Sequence, residues 1–302
     1  GNDRLNTIIS KYFSKWYQES FEKSYGINLT NYYFNEKDVD DDSKVAFTSK
    51  QYKYGFIDYA PYDRVIKNKL VGMNNMIISN FEKITNIEVK YYEYNTLEDL
   101  VSNFNSNKID FYLDTTSIQD FDMDIFDTIS VFNEKYVVLA NINQKQTIHS
   151  IYSLKNKNVM VLKNTKIAGL MKEHDISVKE FQTMTSMLNN LDPSYLLVID
   201  KSVYETYKTS TLKEWEEVYS DTLENEYTYK IRDINDNNVF ANYFNFYLSY
   251  IDENTYINQI NYKMFHITSK SKLGFYIILV LVLIVISLGI IFFTKKKGNH
   301  IK

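Results

Sequence analysis

The sequence contains no cysteine, and only two prolines and eight glycines among 302 residues. The absence of cysteine excludes disulfide bonds, thiol catalysis and cysteine-ligated metals. The scarcity of glycine and proline excludes collagen-like and linker-rich chains. The rest of the composition, 44% hydrophobic and 24% charged residues, is ordinary for a globular protein, and the length allows one large domain or two modest ones.

Motifs for catalysis, metals and nucleic acids are also missing. The net charge is −4, and lysine clusters only at the extreme C-terminus, so no nucleic-acid partner is expected. The four histidines lack metal-site spacing, and there is no nucleophile elbow, phosphate-binding loop or dinucleotide-binding glycine pattern. We interpret Glu216 and Glu217 as a solvated helix face. We therefore predict a protein that is not an enzyme, with no catalytic residue, metal site or cofactor.

A long apolar run lies near the C-terminus. Residues 273–293 form an uncharged run of 21 residues, which as a helix would span about 31 Å, the thickness of the hydrocarbon core. The alternative, a buried core helix, fits poorly because the run is apolar on every side. Three lysines follow at 295–297, against two at 270 and 272, so the C-terminal end is predicted to be cytoplasmic.

This pattern predicts a single-pass protein of the cell membrane. Residues 267–272 form a juxtamembrane spacer, 273–294 a transmembrane helix in the lipid bilayer and 295–302 a basic cytoplasmic tail. Everything before the helix is then extracellular. Because an exported domain needs a leader, we expect the chain to be part of a longer protein, in which a cytoplasmic output domain follows it.

The preceding part alternates strands and helices. Repeated β-α-β units predict parallel sheets covered by helices, and two sets joined by long strands predict two lobes. The predicted strands are 54–58, 87–94, 109–113, 135–141, 159–162, 176–181 and 195–199. The predicted helices cover 71–84, 184–191 and 202–207, and others begin at Thr96 and Thr165.

Residues 1–50 differ from this pattern. They are predicted to be a helical extension, with an amphipathic helix at 5–25 and an acidic linker at 38–42. The linker is interpreted as solvated because the spacing of a calcium-binding loop is missing. One interpretation of the extension is the tail of an upstream domain.

Several short segments resemble the bacterial extracellular solute-binding proteins of the polar amino-acid type, family 3. Residues 59–62 (YAPY) are similar to the family's YAPF loop, and 69–74 (KLVGMN) to its KLVGFD turn. Residues 100–110 (LVSNFNSNKID) resemble LxxGKxD, and 153–165 (SLKNKNVMVLKNT) resemble LKGKKVGVxxGT. Residues 132–138 (FNEKYVV) resemble the FSxPYxx hinge strand, while 199–200 and 254–256 fall where the family has its second-lobe Asp and terminal GTY.

The resemblance implies a two-lobed α/β clamshell, the type II periplasmic-binding-protein-like fold, over residues 51–266. Lobe 1 is expected at about 51–131 and 209–266, and lobe 2 at about 137–197. The crossover strands are expected around 131–139 and 195–200. Ligand would lie between the lobes, at the carboxyl ends of strands, and the lobes would close on it.

Nine candidate ligand-binding residues follow from this alignment. They are Tyr59, Tyr62, Asn74, Asp114, Thr115, Thr116, Ser117, Thr165 and Asp200. The tyrosines would stack on the ligand, although among 27 tyrosines simple packing is a serious alternative. Asp200 would bind an amine, unless it only caps the next helix. Thr165 would hold a carboxylate at a helix N-terminus, unless it too is only a cap.

The sequence departs from the family after the third strand. Family members that bind amino acids carry an arginine there for the ligand carboxylate, whereas this chain has Asp120, Phe121, Asp122 and Asp124. Asn74 stands where an acidic residue is usual, and Leu97 where an aromatic residue is common. Either the ligand is not an ordinary α-amino acid, or the pocket is degenerate and recognises a partner. Arg64 is a candidate substitute for the missing arginine.

The predicted function is an extracellular sensor, in which solute binding closes the lobes and signals through the membrane helix. The expected partners are a small solute related to amino acids, the bilayer, a second copy in a homodimer, and a covalent output domain such as a diguanylate cyclase or histidine kinase. Two alternatives stay open. One is the substrate-capturing domain of a membrane transporter, and the other is a degenerate domain used for protein interaction.

Overall fold

The computed structural model describes residues 22–251, except 68, 122, 131, 133, 145, 225 and 233–237. The chain divides into two compact units, 1–253 and 254–302, and the described residues all belong to the first. The elements of the first half are α1 (Glu22–Glu36), α2 (Asp41–Ser49), β1 (Gln51–Ile57), β2 (Arg64–Ile66), β3 (Lys69–Val71), α3 (Met73–Thr85), β4 (Glu88–Tyr94), α4 (Leu97–Asn105), β5 (Phe111–Asp114) and β6 (Ile125–Asp127). Those of the second half are β7 (Lys135–Asn141), a 3-10 turn (Ile151–Leu154), β8 (Val159–Leu162), α5 (Lys166–Glu173), β9 (Val178–Phe181), α6 (Met184–Asn189), β10 (Leu196–Asp200), α7 (Lys201–Tyr207), β11 (Trp215–Thr222), β12 (Thr228–Arg232) and α8 (Val239–Leu248).

Lobe 1 is built on a five-stranded sheet in the order β4-β1-β5-β12-β6. Strand β1 lies parallel to β4 and β5, and β12 returns antiparallel to β5 and β6. The core is strongly aromatic: Phe240 stacks on Tyr52 at 4.1 Å and meets Phe111 edge-on at 5.1 Å. Burial of such rings supplies most of the hydrophobic stabilisation of this lobe.

Lobe 2 is built on a second five-stranded sheet in the order β11-β7-β10-β8-β9. Strands β9, β8 and β10 are parallel to one another. Strand β7 runs antiparallel to β10, and the edge strand β11 runs antiparallel to β7. The three inner strands, β7, β10 and β8, are almost completely buried, as expected for strands covered on both faces.

Two short crossover segments join the lobes. Residues 128–134 lead from β6 to β7, and residues 223–227 lead back from β11 to β12. They lie side by side, because Phe132 pairs with Tyr227 as an isolated bridge and the Leu223 amide donates to the Glu134 carbonyl at 2.9 Å. Paired crossovers of this kind can serve as a hinge.

The structure corrects the predicted lobe boundaries. Residues 209–222 were expected in lobe 1, but β11 pairs with β7 along its length and therefore belongs to lobe 2. The second crossover is at 223–227, whereas 195–200 holds β10 in the middle of the lobe 2 sheet. Strand β11 escapes sequence analysis because it is a largely exposed edge strand without apolar alternation.

Residues 22–49 are an integral part of lobe 1. Tyr33 of α1 stacks on Tyr243 of α8 at 4.5 Å. The hydroxyl groups of Thr30 and Tyr243 are hydrogen-bonded to each other at 2.6 Å. Phe47 of α2 is completely buried. The predicted acidic linker is wrong in part: Asp40 caps α2 by accepting from the Ser43 amide at 2.8 Å, and residues 41 and 42 form the first turn of that helix.

The predicted membrane helix at 273–294 lies outside the described residues, as do the spacer 267–272, the tail 295–302 and most of the predicted helix 5–25. Within the described ranges, every helix is too short or too polar to cross a bilayer.

Candidate functional site

The candidate site is the interface where the carboxyl ends of the strands in one lobe face the other lobe. The loops after β1 and β5 in lobe 1 meet the loop after β8, the start of α5 and the start of α7 in lobe 2. In this structure the two lobes are in direct contact across that interface. Several of these interlobe contacts involve a predicted site residue.

A lysine of lobe 2 reaches into lobe 1. The Lys166 ammonium lies 3.3 Å from Asp114 Oδ2 and donates to the Glu226 carbonyl at 2.7 Å. It also lies over the Tyr227 ring, 5.6 Å from the centroid. A second lysine, Lys230, approaches Asp114 Oδ2 at 3.7 Å. Asp114 is therefore held by cations from both lobes.

Burial weakens the charges of this cluster. It raises the pKa of the Asp114 carboxyl, against the opposing attraction of Lys166 and Lys230. Burial likewise lowers the pKa of the Lys166 ammonium, and Asp114 opposes that shift. Because both groups are desolvated, the charged form of each is stabilised mainly by its oppositely charged partner. Breaking the ion pair while the lobes stay in contact is therefore unfavourable.

The loop after β5 contacts the loop after β8 through backbone groups. The Ser117 amide and the Thr116 hydroxyl both donate to the Asn164 carbonyl, at 2.8 and 2.9 Å. The Lys166 amide donates to the Thr115 carbonyl at 2.9 Å. Thr115 and Thr116 are buried, and Ser117 is exposed. These contacts use main-chain and hydroxyl groups that the sequence analysis assigned to a ligand.

The loop after β1 contacts the start of α7. The Tyr62 hydroxyl donates to Asp200 Oδ2 at 3.1 Å, and the Tyr59 and Tyr62 rings stack at 5.7 Å. Asp200 Oδ1 accepts from the amides of Ser202 and Val203 at 2.8 and 3.3 Å. Asp200 therefore caps α7 with one oxygen and presents the other to lobe 1. The two roles that the sequence left as alternatives use different oxygens of the same carboxyl group.

Two buried groups of the crossover segments complete this side of the interface. The Glu134 carboxyl approaches that of Asp200. Burial raises the Asp200 pKa, and the nearby polar groups of Tyr227, Glu134 and Tyr62 oppose that rise. Tyr227 is fully buried, edge-on to Tyr62 at 5.5 Å. Its hydroxyl is near enough to influence Asp200 and Tyr59, but it lacks hydrogen-bond geometry to any described atom. We call Asp200, Glu134, Tyr59, Tyr62 and Tyr227 the tyrosine–carboxyl site.

The side chains of two other predicted residues form their hydrogen bonds inside their own lobes, although the Thr165 backbone pairs with Thr116 across the interface. Thr165 caps α5, accepting from the Ala168 amide at 3.2 Å and donating to the Leu162 carbonyl at 2.8 Å. Asn74 is buried in lobe 1, where its amide donates to Asp63 at 2.6 Å and accepts from Tyr229 at 2.6 Å. Ligand contact by either residue remains a prediction.

Arg64, the candidate substitute for the missing arginine, contacts Tyr207 in this structure, and its contact with a ligand stays a prediction. Arg64 donates to the Tyr207 hydroxyl at 3.2 Å and lies over the Tyr207 ring, at the α7 side of the interface. The cations beside Asp114 are Lys166 and Lys230 instead. Lys166 directly follows Thr165, which the sequence predicted as a helix cap. This position at the start of a helix is the one feature of the sequence that could have indicated Lys166 as a site residue. Glu134 was visible only as part of the FNEKYVV segment.

A small cavity lies inside lobe 1, behind the loops that meet lobe 2. It is lined by lobe 1 residues that include Tyr59, Tyr62 and Thr115, and its volume of about 10 Å³ is near the minimum for one water molecule. A larger cavity of about 680 Å³ lies elsewhere on lobe 1, between the α1–α2 turn and α8. Groups of three or more His, Asp or Glu that could bind a metal do not occur within the described ranges.

These features define a two-lobed α/β domain with a paired hinge and an interlobe site, the type II periplasmic-binding-protein-like fold. Solved structures of such proteins are similar to this chain. One is an ancestral arginine-binding protein bound to arginine, with 17% identity, a TM-score of 0.58, and 70% of this chain and 97% of that chain covered. Another is the GluR0 ligand-binding core from Nostoc punctiforme in complex with L-glutamate, with 22% identity, a TM-score of 0.57, and 70% and 98% covered.

A third is the substrate-binding protein of an amino acid ABC transporter, with 14% identity, a TM-score of 0.57, and 70% and 97% covered. No protein-family profile matches the sequence, and no curated protein matches it. At these identities the similarity demonstrates the fold. It confirms the two-lobed clamshell expected from the sequence resemblance.

Proposed function

We propose that this protein is the extracytoplasmic ligand-sensing domain of a single-pass membrane receptor. A small solute binds between the lobes, and the change in lobe arrangement is passed through the helix at 273–294 to a cytoplasmic output domain, such as a diguanylate cyclase or a histidine kinase. The solute-binding part is supported by the fold, because similar structures hold arginine, glutamine or glutamate. The membrane part is supported by the apolar run and its lysine flank.

The observation that carries the proposal is the chemistry of the interlobe contacts. The lobes are held together by a few polar pairs, chiefly Lys166 with Asp114 and Tyr62 with Asp200. Such pairs can exchange one partner for a ligand group or for water, whereas an apolar interface would resist separation. With adjacent crossovers as the hinge, these contacts suit a domain with two arrangements whose balance a solute can shift.

A thermal-shift screen of the full chain in detergent tests solute binding. Amino acids, amines, organic acids and short peptides would be added one at a time. A ligand at 100 times its dissociation constant stabilises the protein by about 2.7 kcal/mol, which for a domain of this size raises the melting temperature by about 5–10 °C. The absence of any shift would refute solute binding.

The absence of cysteine allows a direct test of topology. Single cysteines would be introduced at Tyr152, which is exposed on lobe 2, and at Gly298 in the basic tail. In intact cells, a membrane-impermeant maleimide should label the first and leave the second unlabelled until the cells are lysed. Equal labelling of both positions, or labelling of the second alone, would refute the proposed orientation.

A second function is favoured by the direct contacts between the lobes. Lys166, a lysine of this chain that occupies the interface beside Asp114, fits a degenerate domain that recognises a protein partner. Failure of the whole solute screen, combined with correct membrane topology, would support this function.

A further inference from the structure

The tyrosine–carboxyl site has the chemistry of a receptor for an organic cation. Asp200 is 1% exposed, and no lysine or arginine in the described part of the chain pairs with it. A buried carboxyl group that lacks a cation is destabilised in its charged form. Glu134 brings a second buried carboxyl group to the same place. An incoming ammonium group would relieve the desolvation of Asp200.

Aromatic rings enclose the carboxyl groups. Tyr59 and Tyr62 stack on each other, and Phe132 and Tyr227 meet Tyr62 edge-on at 5.3 and 5.5 Å. Rings of this kind attract cations over their faces, most strongly when the site is desolvated. The Tyr227 hydroxyl is buried among them and lacks hydrogen-bond geometry to any described atom. A polar ligand would supply the acceptor or donor that this hydroxyl lacks.

The other end of the interface is already balanced in charge. Lys166 and Lys230 are paired with Asp114, and Lys230 also lies 2.8 Å from Asp127. The next residues along the loop include Asp120 and Asp124 and no arginine. A ligand carboxylate would therefore have to displace a partner from one of these lysines, while an ammonium group could replace the hydroxyl that Tyr62 donates to Asp200 Oδ2.

We propose that the tyrosine–carboxyl site binds an amine or quaternary ammonium compound that has no carboxylate, with Asp200 and Glu134 as the anionic contacts and the tyrosine rings as the walls. This inference rests on the proposed solute-binding function and narrows its ligand class. It separates this protein from the structures that hold amino acids, because it assigns the ligand one charged group instead of two.

Matched pairs of compounds test the ligand class. Agmatine would be compared with arginine, cadaverine with lysine and histamine with histidine, since each pair differs only by the α-carboxylate, and tetramethylammonium would be added as a cation without N–H groups. Binding to the full chain would be measured by titration calorimetry. We expect at least one cation to bind tenfold or more tightly than its carboxylated counterpart or, for tetramethylammonium, than any of the amino acids.

Variants identify the site. Asp200→Asn should weaken binding of that cation by tenfold or more, and it should fold because asparagine caps a helix as well as aspartate does. Glu134→Gln should weaken binding in the same direction. Asp192→Asn is the matched control, because this partly exposed acid lies in lobe 2 and its carboxylate accepts from the amide and hydroxyl of Ser194. Its substitution should leave binding unchanged.

Two results would overturn the inference in distinguishable ways. Tighter binding of the amino acids than of their amines, or binding only of acids or peptides, would refute the ligand class and leave solute binding intact. Absence of binding by every compound would refute both. If a cation binds and Asp200→Asn leaves its affinity unchanged, the cation binds at another site, and the assignment to the tyrosine–carboxyl site is refuted.

Discussion

Removal of the Lys166 ammonium should shift the lobes towards an open arrangement. Lys166→Met keeps the length and apolar part of the side chain but removes its hydrogen bond to the Glu226 carbonyl and its ion pair with Asp114. A hydrogen bond from a charged donor contributes about 1.5–3 kcal/mol. Lys230 remains within 3.7 Å of Asp114, so the carboxyl group is not left alone, and the full penalty for a broken buried pair is not expected.

The lost interactions join lobe 2 to lobe 1 and to the second crossover, so their removal destabilises the closed arrangement relative to the open one. In an open arrangement water can solvate both partners. We expect a shift of about 2–3 kcal/mol, which changes the ratio of closed to open molecules by roughly 30- to 150-fold. Spin labels on cysteines introduced at the exposed positions Ser102 in lobe 1 and Lys172 in lobe 2 would report the distance between α4 and α5, since the chain has no other cysteine.

Lys163→Met is the matched control for this experiment. Lys163 also pairs across the interface, with Glu98 at 2.9 Å, but both side chains are about one-third exposed. An exposed pair contributes at most about 1 kcal/mol, so this variant should change the distance distribution much less. Identical distributions for Lys166→Met and the unaltered protein, or equal effects of the two variants, would refute the reasoning. Circular dichroism would verify that both variants fold.

Three further predictions concern lobe 1. Burial raises the pKa of Asp63 to about 7, above its unfolded value, so the group opposes stability progressively as pH rises from about 4 to 7. Asp63→Asn should remove about 2–3 kcal/mol of the pH dependence between urea titrations at pH 5 and pH 8, whereas parallel curves for the two proteins would contradict this prediction. Gly72 has φ of 136°, and a Cβ there would lie 2.2 Å from the Tyr62 carbonyl oxygen. Gly72→Ala should therefore lower the free energy of unfolding by at least about 2 kcal/mol in the same urea titration. An unchanged midpoint of unfolding would contradict this geometry. Phe47→Ala should cost about 3–5 kcal/mol because its ring is fully buried; a cost below 1 kcal/mol would mean that residues 22–49 are not part of the lobe 1 core.

The site residues show how far sequence reasoning reached. Tyr59, Tyr62, Thr115, Thr116 and Asp200 were predicted from a resemblance, and the structure brings all of them to the interlobe face. Whether they bind a solute remains a prediction. Lys166, Glu134 and Tyr227 were missed, because nothing local distinguishes a lysine or a glutamate that crosses an interface from one that faces solvent.

The sequence by itself determined the apolar strands β1, β5, β7, β8 and β10, and the helices capped by Thr96 and Thr165. Continuous apolar segments such as 159–162 and 196–199, and caps such as Thr96 and Thr165, act over a few residues. Only the tertiary structure decided that β11 belongs to lobe 2 and that residues 22–49 belong to lobe 1. Both depend on contacts between residues that are far apart in the chain. The local sequence of an exposed edge strand or of an aromatic helix does not indicate which element it will pack against.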